Sequence, residues 1–109
     1  MTDLNLLEKL CNACAVSGDE GEVRRIVLEE IRPYADEVTV DAMGNVLAVR
    51  RGKGENLPRV MVAAHMDEVG FMLIDGGKDG LFRFGLVGGI DPRYLPGKSV
   101  WVGRKHTPG

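Results

Sequence analysis

Val60-Met61-Val62-Ala63-Ala64-His65-Met66-Asp67-Glu68-Val69-Gly70 is the stretch whose reading decides the fold. Its first five residues are apolar without alternation, the pattern of a central strand covered on both faces in a helix-flanked sheet. The apolar run stops at His65, so a histidine and an aspartate two residues apart stand at the carboxyl end of that strand. In open α/β sheets ligands gather at those ends. If the backbone stays extended, His65 and Asp67 point to one face. That spacing suits a neutral imidazole that holds a metal through one ring nitrogen while a carboxylate fixes the other. From the tripeptide alone, a strand-end histidine paired with a surface aspartate is the commoner arrangement.

Upstream of this strand the pattern is mixed. Thr2 or Asp3 can cap a first helix with the apolar stripe Leu4, Leu7, Leu10, Cys11 and Cys14. Ser17 with Glu20, and Asp19 with Glu22, stand in capping-box spacing and predict a second helix. Its buried face would be Val23, Ile26, Val27 and Ile31, ending at Pro33. Val38 and Val40 alternate with polar neighbours, Ala42-Met43-Gly44-Asn45 is turn-like, and the chain should return over Val46 to Arg50 as a hairpin. Asp41 and Asn45 are expected to hold that turn through nearby backbone. Arg50, Arg51 and Lys53 read as a solvated strand end, because acidic residues flank them closely.

Glycine marks a change of character. Of the 15 glycines, ten lie between Gly70 and Gly109. Strands are expected over Phe71 to Ile74, Leu81 to Val87 and Ser99 to Val102, enough for a sheet but not for a closed barrel. The shift predicts a boundary, with residues 1–70 as the start of an α/β domain and residues 71–109 as the start of a β domain. The chain stops shortly after a strand, which reads as cut short.

Composition narrows the function classes. A chain of 109 residues is long enough for one ordinary domain with a real core, and 44% hydrophobic with 28% charged residues is the composition of a soluble globular protein. A net charge of -2 gives no electrostatic reason to expect nucleic acid or an anionic membrane as partner. No apolar run approaches the roughly 20 residues that span a bilayer. Met1-Thr2-Asp3-Leu4-Asn5 lacks the basic start and apolar stretch of a signal peptide, so the cytoplasm is expected, with Cys11 and Cys14 reduced. A lone C-x-x-C on a helix stripe reads as two small core residues rather than a zinc or redox pair.

Four segments, in order, carry a resemblance. Asn12-Ala13-Cys14-Ala15-Val16-Ser17-Gly18-Asp19-Glu20 resembles the opening of the tetrahedral and glutamyl aminopeptidases, di-metal peptidases also labelled endoglucanases. Asp41-Ala42-Met43-Gly44-Asn45 is similar to that family's strand-turn element, and Ala64 to Phe71 to its first metal-ligand segment. Leu95-Pro96-Gly97-Lys98-Ser99-Val100 resembles the start of its second domain. The resemblance implies an α/β/α zinc-exopeptidase-like sandwich followed by the first strands of an inserted β-barrel domain. It implies that His65 is a metal ligand and that Asp67, the candidate catalytic residue, orients it. It further implies two zinc or cobalt ions in the complete enzyme, peptide substrates cut at their N-termini, and a homo-oligomer.

The family's other ligands would lie downstream of Gly109, so the chain by itself is expected to be inactive. His106 does not match the family's last histidine and reads as an exposed residue near a strand end. Glu68 should face away from Asp67. Two other readings stay open, a di-metal deacylase or carboxypeptidase and a non-catalytic short protein or assembly module. A glycosidase needs a spaced pair of carboxylates in a sugar cleft, and nothing in these residues points to one.

Overall fold

The computed structural model describes residues 3–109, so Thr2, one of the two expected caps, lies outside the described residues. Helix α1 spans Leu4–Asn12. The Asp3 carboxylate caps it, accepting from the backbone N–H groups of Asn5 at 3.0 Å and Leu6 at 3.2 Å. Ala13 turns extended and ends the helix, which leaves Cys14 outside it. Helix α2 spans Gly21–Ile31 and runs into a 3₁₀ turn over Arg32–Tyr34 that carries Pro33.

Neither capping box forms. Glu20 stands at the N-cap without a side-chain cap bond to the helix backbone, and its carboxylate pairs with Arg24 at 3.4 Å instead. Ser17 donates to Asp67, Asp19 accepts from Arg104, and Glu22 accepts from the Cys14 N–H. Side chains whose spacing suits local caps are taken up by contacts with other parts of the chain.

Strands β1 (Glu37–Val40) and β2 (Val46–Val49) form the expected antiparallel hairpin, paired from Glu37 with Val49 to Val40 with Val46. Asp41 holds its turn. Oδ1 accepts from the N–H groups of Met43 and Asn45, each at 2.9 Å, and Oδ2 accepts from the Asn45 amide at 2.8 Å. Gly44 has φ +88°, and a Cβ there would lie 2.3 Å from the Arg24 guanidinium. Only glycine meets both conditions at no steric cost. Arg24 donates to the Gly44 carbonyl at 2.7 Å and so ties the hairpin to α2. At the far end Arg51 pairs with Glu37, as a solvated strand end should.

Beyond Gly70 the described residues form two further hairpins. Strand β3 (Gly70–Asp75) pairs antiparallel with β4 (Arg83–Val87), with an irregularity between Leu73 and Asp75. The Phe71 and Phe84 rings meet edge to face at 5.0 Å. Strand β5 (Trp101–Val102) pairs with β6 (Thr107–Pro108). The three strands expected here therefore do not share one sheet.

The apolar run Val60–Ala64 is not a buried strand. Val60, Met61 and Val62 are 83%, 87% and 92% exposed. A central strand needs a paired neighbour on each edge and cover on each face. Among the described residues each strand is instead paired within its own hairpin.

The expected core is small. Ala13, Ala15 and Val23 are buried, with Leu10, Ile26, Val27 and Met66 packed against them. The radius of gyration is 18.1 Å, against about 13 Å for a close-packed chain of this length. Cys11 is exposed rather than part of the core, and Cys14 is half-buried. Among the described residues no helix is long and apolar enough to cross a membrane.

Candidate functional site

The described part of the small core is what positions His65 and Asp67. Met66 packs on the Ala13, Ala15 and Val23 cluster. One residue later the Glu68 N–H donates to the Ala15 carbonyl at 2.8 Å, and Val16 and Glu68 form a parallel bridge. With Met66 turned into the core, its two neighbours share the opposite face, as extended backbone requires. The expected pairing of His65 with Asp67 is thus present, although no regular strand leads into it.

The geometry fixes the histidine. His65 Nδ1 lies 2.9 Å from the Asp67 carbonyl oxygen and 3.4 Å from Asp67 Oδ1. A carbonyl only accepts, so Nδ1 is the donor and carries the proton. In the neutral ring the lone pair then sits on Nε2, the nitrogen suited to a metal. The His65 side chain is 85% exposed, which leaves Nε2 open to a ligand.

Asp67 is held in turn. Its Oδ2 accepts from Ser17 Oγ at 2.5 Å. That bond, with smaller contributions from its own backbone and from His65, holds the Asp67 carboxyl below the usual carboxylate range. A charged carboxylate beside Nδ1–H favours the same tautomer and ring orientation. The donor set fits one metal ligand with its orienting partner. Ser17 belongs to this set, and sequence reading missed it because Ser17 and Glu20 also match a local cap. Its place in the run directly before α2, which the Val16 bridge brings beside Glu68, is the signal that only the fold supplies.

Other candidates are placed elsewhere. Glu68 is exposed and engaged through its backbone. Asp41 and Asn45 are spent on the hairpin turn, where the Asn45 side chain leads in lowering the Asp41 pKa. His106 differs from its expected exposed state: it is half-buried, adopts φ +49°, and lies 6.2 Å from the Trp101 ring, centroid to centroid. Together with Cys14 and Glu22 it forms a group of three possible metal-ligating side chains, described below. Burial, then the charge of Glu22, pushes the Cys14 thiol pKa up.

Residues 44–109 match the family described as M42 glutamyl aminopeptidase. An Acetivibrio thermocellus protein, provisionally named an aminopeptidase, is 45% identical over 96 residues, covering 88% of this chain and 28% of that protein. A Thermotoga maritima crystal structure described as an endoglucanase superposes with a TM-score of 0.80 at 45% identity, over 86% of this chain and 30% of the other. The TET aminopeptidase of a marine sediment Thaumarchaeota archaeon superposes with a TM-score of 0.78 at 40% identity, over 89% and 27%. The arrangement of helices and hairpins thus resembles the TET aminopeptidase fold. The chain spans between a quarter and a third of the length of these proteins.

Proposed function

The chain belongs to the M42 glutamyl aminopeptidase family, and from that premise we propose that it supplies the first metal ligand and its orienting carboxylate to a metal-dependent aminopeptidase. The observation that carries this reading is the chain of contacts from Ser17 through Asp67 to His65, which leaves Nε2 of His65 as the free, exposed nitrogen. In this reading residues 1–70 open an α/β/α catalytic domain, and residues 71–109 open an inserted β-barrel domain.

His65 would hold one of two divalent ions, zinc or cobalt, through Nε2. Asp67 engages Nδ1, which fixes the ring plane and leaves Nε2 as the metal-binding nitrogen, and Ser17 fixes Asp67. When bound, such ions would polarise a scissile carbonyl and lower the pKa of a bound water. A catalytic zinc takes about three protein ligands and an open position, and two ions need more. His65 alone does not complete either set, so the 109 residues by themselves should not turn over peptides. The substrates of the complete enzyme would be peptides cut at the N-terminal residue. Self-association belongs to the same reading, supported by the uncovered apolar run at Val60 to Val62.

The test is hydrolysis of aminoacyl chromogenic substrates with zinc or cobalt supplied, comparing the 109-residue chain with these residues carried in a protein of the relatives' full length. Activity in the longer protein alone, abolished by His65→Ala, is the expected result. Metal-dependent turnover that tracks the purified 109-residue chain, or full activity in the His65→Ala protein, would overturn the reading.

A further inference from the structure

Cys14, Glu22 and His106 come from three separate parts of the chain. Cys14 follows α1, Glu22 lies in the first turn of α2, and His106 sits in the turn between β5 and β6. One ligand atom of each, a thiol sulfur, a carboxylate oxygen and an imidazole nitrogen, lies within 4.8 Å of the other two, and all three residues are half-buried. Other contacts hold them in place. The Cys14 N–H donates to Glu22 Oε2 at 3.2 Å, and the Cys14 thiol donates to the Gly103 carbonyl at 3.5 Å, which turns it toward the hairpin that carries His106. The nearby Arg104 guanidinium is paired with Asp19 at 2.8 Å.

We propose that Cys14, Glu22 and His106 form a binding site for a single thiophilic divalent cation of the zinc or cobalt class. Metal–ligand distances of about 2.0–2.3 Å allow one ion to reach all three atoms after small side-chain rotations. The donor chemistry selects the ion. Thiolate and imidazole suit zinc and cobalt, whereas magnesium and calcium prefer all-oxygen shells. Three protein ligands leave one tetrahedral position for water. Thiolate and carboxylate together balance the charge of a divalent ion, which suits a half-buried place. The bound ion would clamp the β5–β6 hairpin to the helical end of the chain, joining residues 92 positions apart in sequence. The proposal uses neither His65 nor Asp67, so it stands or falls apart from the peptidase reading.

The experiment is titration of the reduced 109-residue chain with cobalt(II), followed through the sulfur-to-cobalt charge-transfer band in the near ultraviolet, then displacement by zinc. A band that saturates at one equivalent is expected. Cys14→Ser should abolish it, and Glu22→Gln and His106→Ala should each weaken binding at least about tenfold, the loss that even outer-shell partners of a metal cause. Cys11→Ser should leave band and affinity unchanged. Circular dichroism of each variant separates loss of a ligand from loss of fold, and zinc-induced shifts of the His106 imidazole signals in the wild-type chain provide a readout that needs no variant. Absence of a band in the wild-type chain would overturn the proposal. So would a band kept in Cys14→Ser, full affinity in both Glu22→Gln and His106→Ala, or His106 signals unmoved by zinc.

Discussion

Ser17 and Asp67, 50 residues apart in sequence, are joined by a hydrogen bond of 2.5 Å from the serine hydroxyl to Oδ2 of the carboxylate. The same carboxylate faces Nδ1 of His65 through its other oxygen. In a protein of full family length, Ser17→Ala should leave Asp67 free to rotate and lower metal-dependent peptidase activity by about 10–100-fold, the range seen for lost outer-shell partners. Ser17→Thr keeps the hydroxyl and should retain most of the activity. Equal activity in wild type and Ser17→Ala would show that the bond does not position the histidine.

Gly44 should resist substitution because its φ of +88° disfavours any Cβ, while the Arg24 guanidinium beside it, the far end of a flexible side chain, would have to swing aside. Gly44→Ala should cost about 1–2 kcal/mol from the backbone alone. That corresponds to a rise of about 5–30-fold in the opening equilibrium of the β1–β2 hairpin. Amide hydrogen exchange at Thr39 and Leu47, which face each other in the ladder, would report it.

Asp41 gives the hairpin a pH dependence of known sign. Its folded pKa is lowered first by the Asn45 side chain and then by backbone N–H groups, so the unfolded chain takes up a proton more readily. The contribution of Asp41 is therefore fully present above the ordinary aspartate pKa and is lost as pH falls through the lower folded value. Carboxyl chemical shifts of Asp41 should titrate below the usual range, and Asn45→Ala should move the midpoint upward. A midpoint unchanged by that substitution would contradict the geometry.

The exposed run at Val60 to Val62 should make the chain associate. It should bind a hydrophobic dye and elute from a sizing column ahead of its monomer position in a concentration-dependent way. Met61→Glu combined with Val62→Lys should reduce both effects without altering the β1–β2 cross-strand contacts. If dye binding and elution are unchanged, the association surface lies elsewhere.

The parts that could be read from sequence are those whose partners are near in the chain. Helix α1 with its Asp3 cap, α2 with its stop near Pro33, and the hairpin turned by Asp41 and Gly44 depend on neighbours within a few residues. The pairing of His65 with Asp67 also follows from two-residue spacing. The buried strand at Val60–Ala64 failed because burial belongs to a pair of surfaces, and among the described residues nothing covers that run. The capping boxes failed because Ser17, Asp19 and Glu22 had stronger offers from Asp67, Arg104 and the Cys14 backbone. His106 was misread for the same reason: Cys14 and Glu22, which stand beside it, lie near the other end of the chain.

The isolated parallel bridge between Val16 and Glu68 has a kinetic meaning. Each hairpin closes a short loop, which takes about 1–10 µs. The bridge, with the Ser17 to Asp67 bond, the Glu68 to Ala15 bond and the Met66 packing beside it, must close a loop of about fifty residues and offset that entropy from one small cluster of contacts. The arrangement around His65 should therefore be the last to form and the first to open. A ligand that grips His65 only in its closed arrangement would slow that opening, and by linkage would stabilise the folded chain.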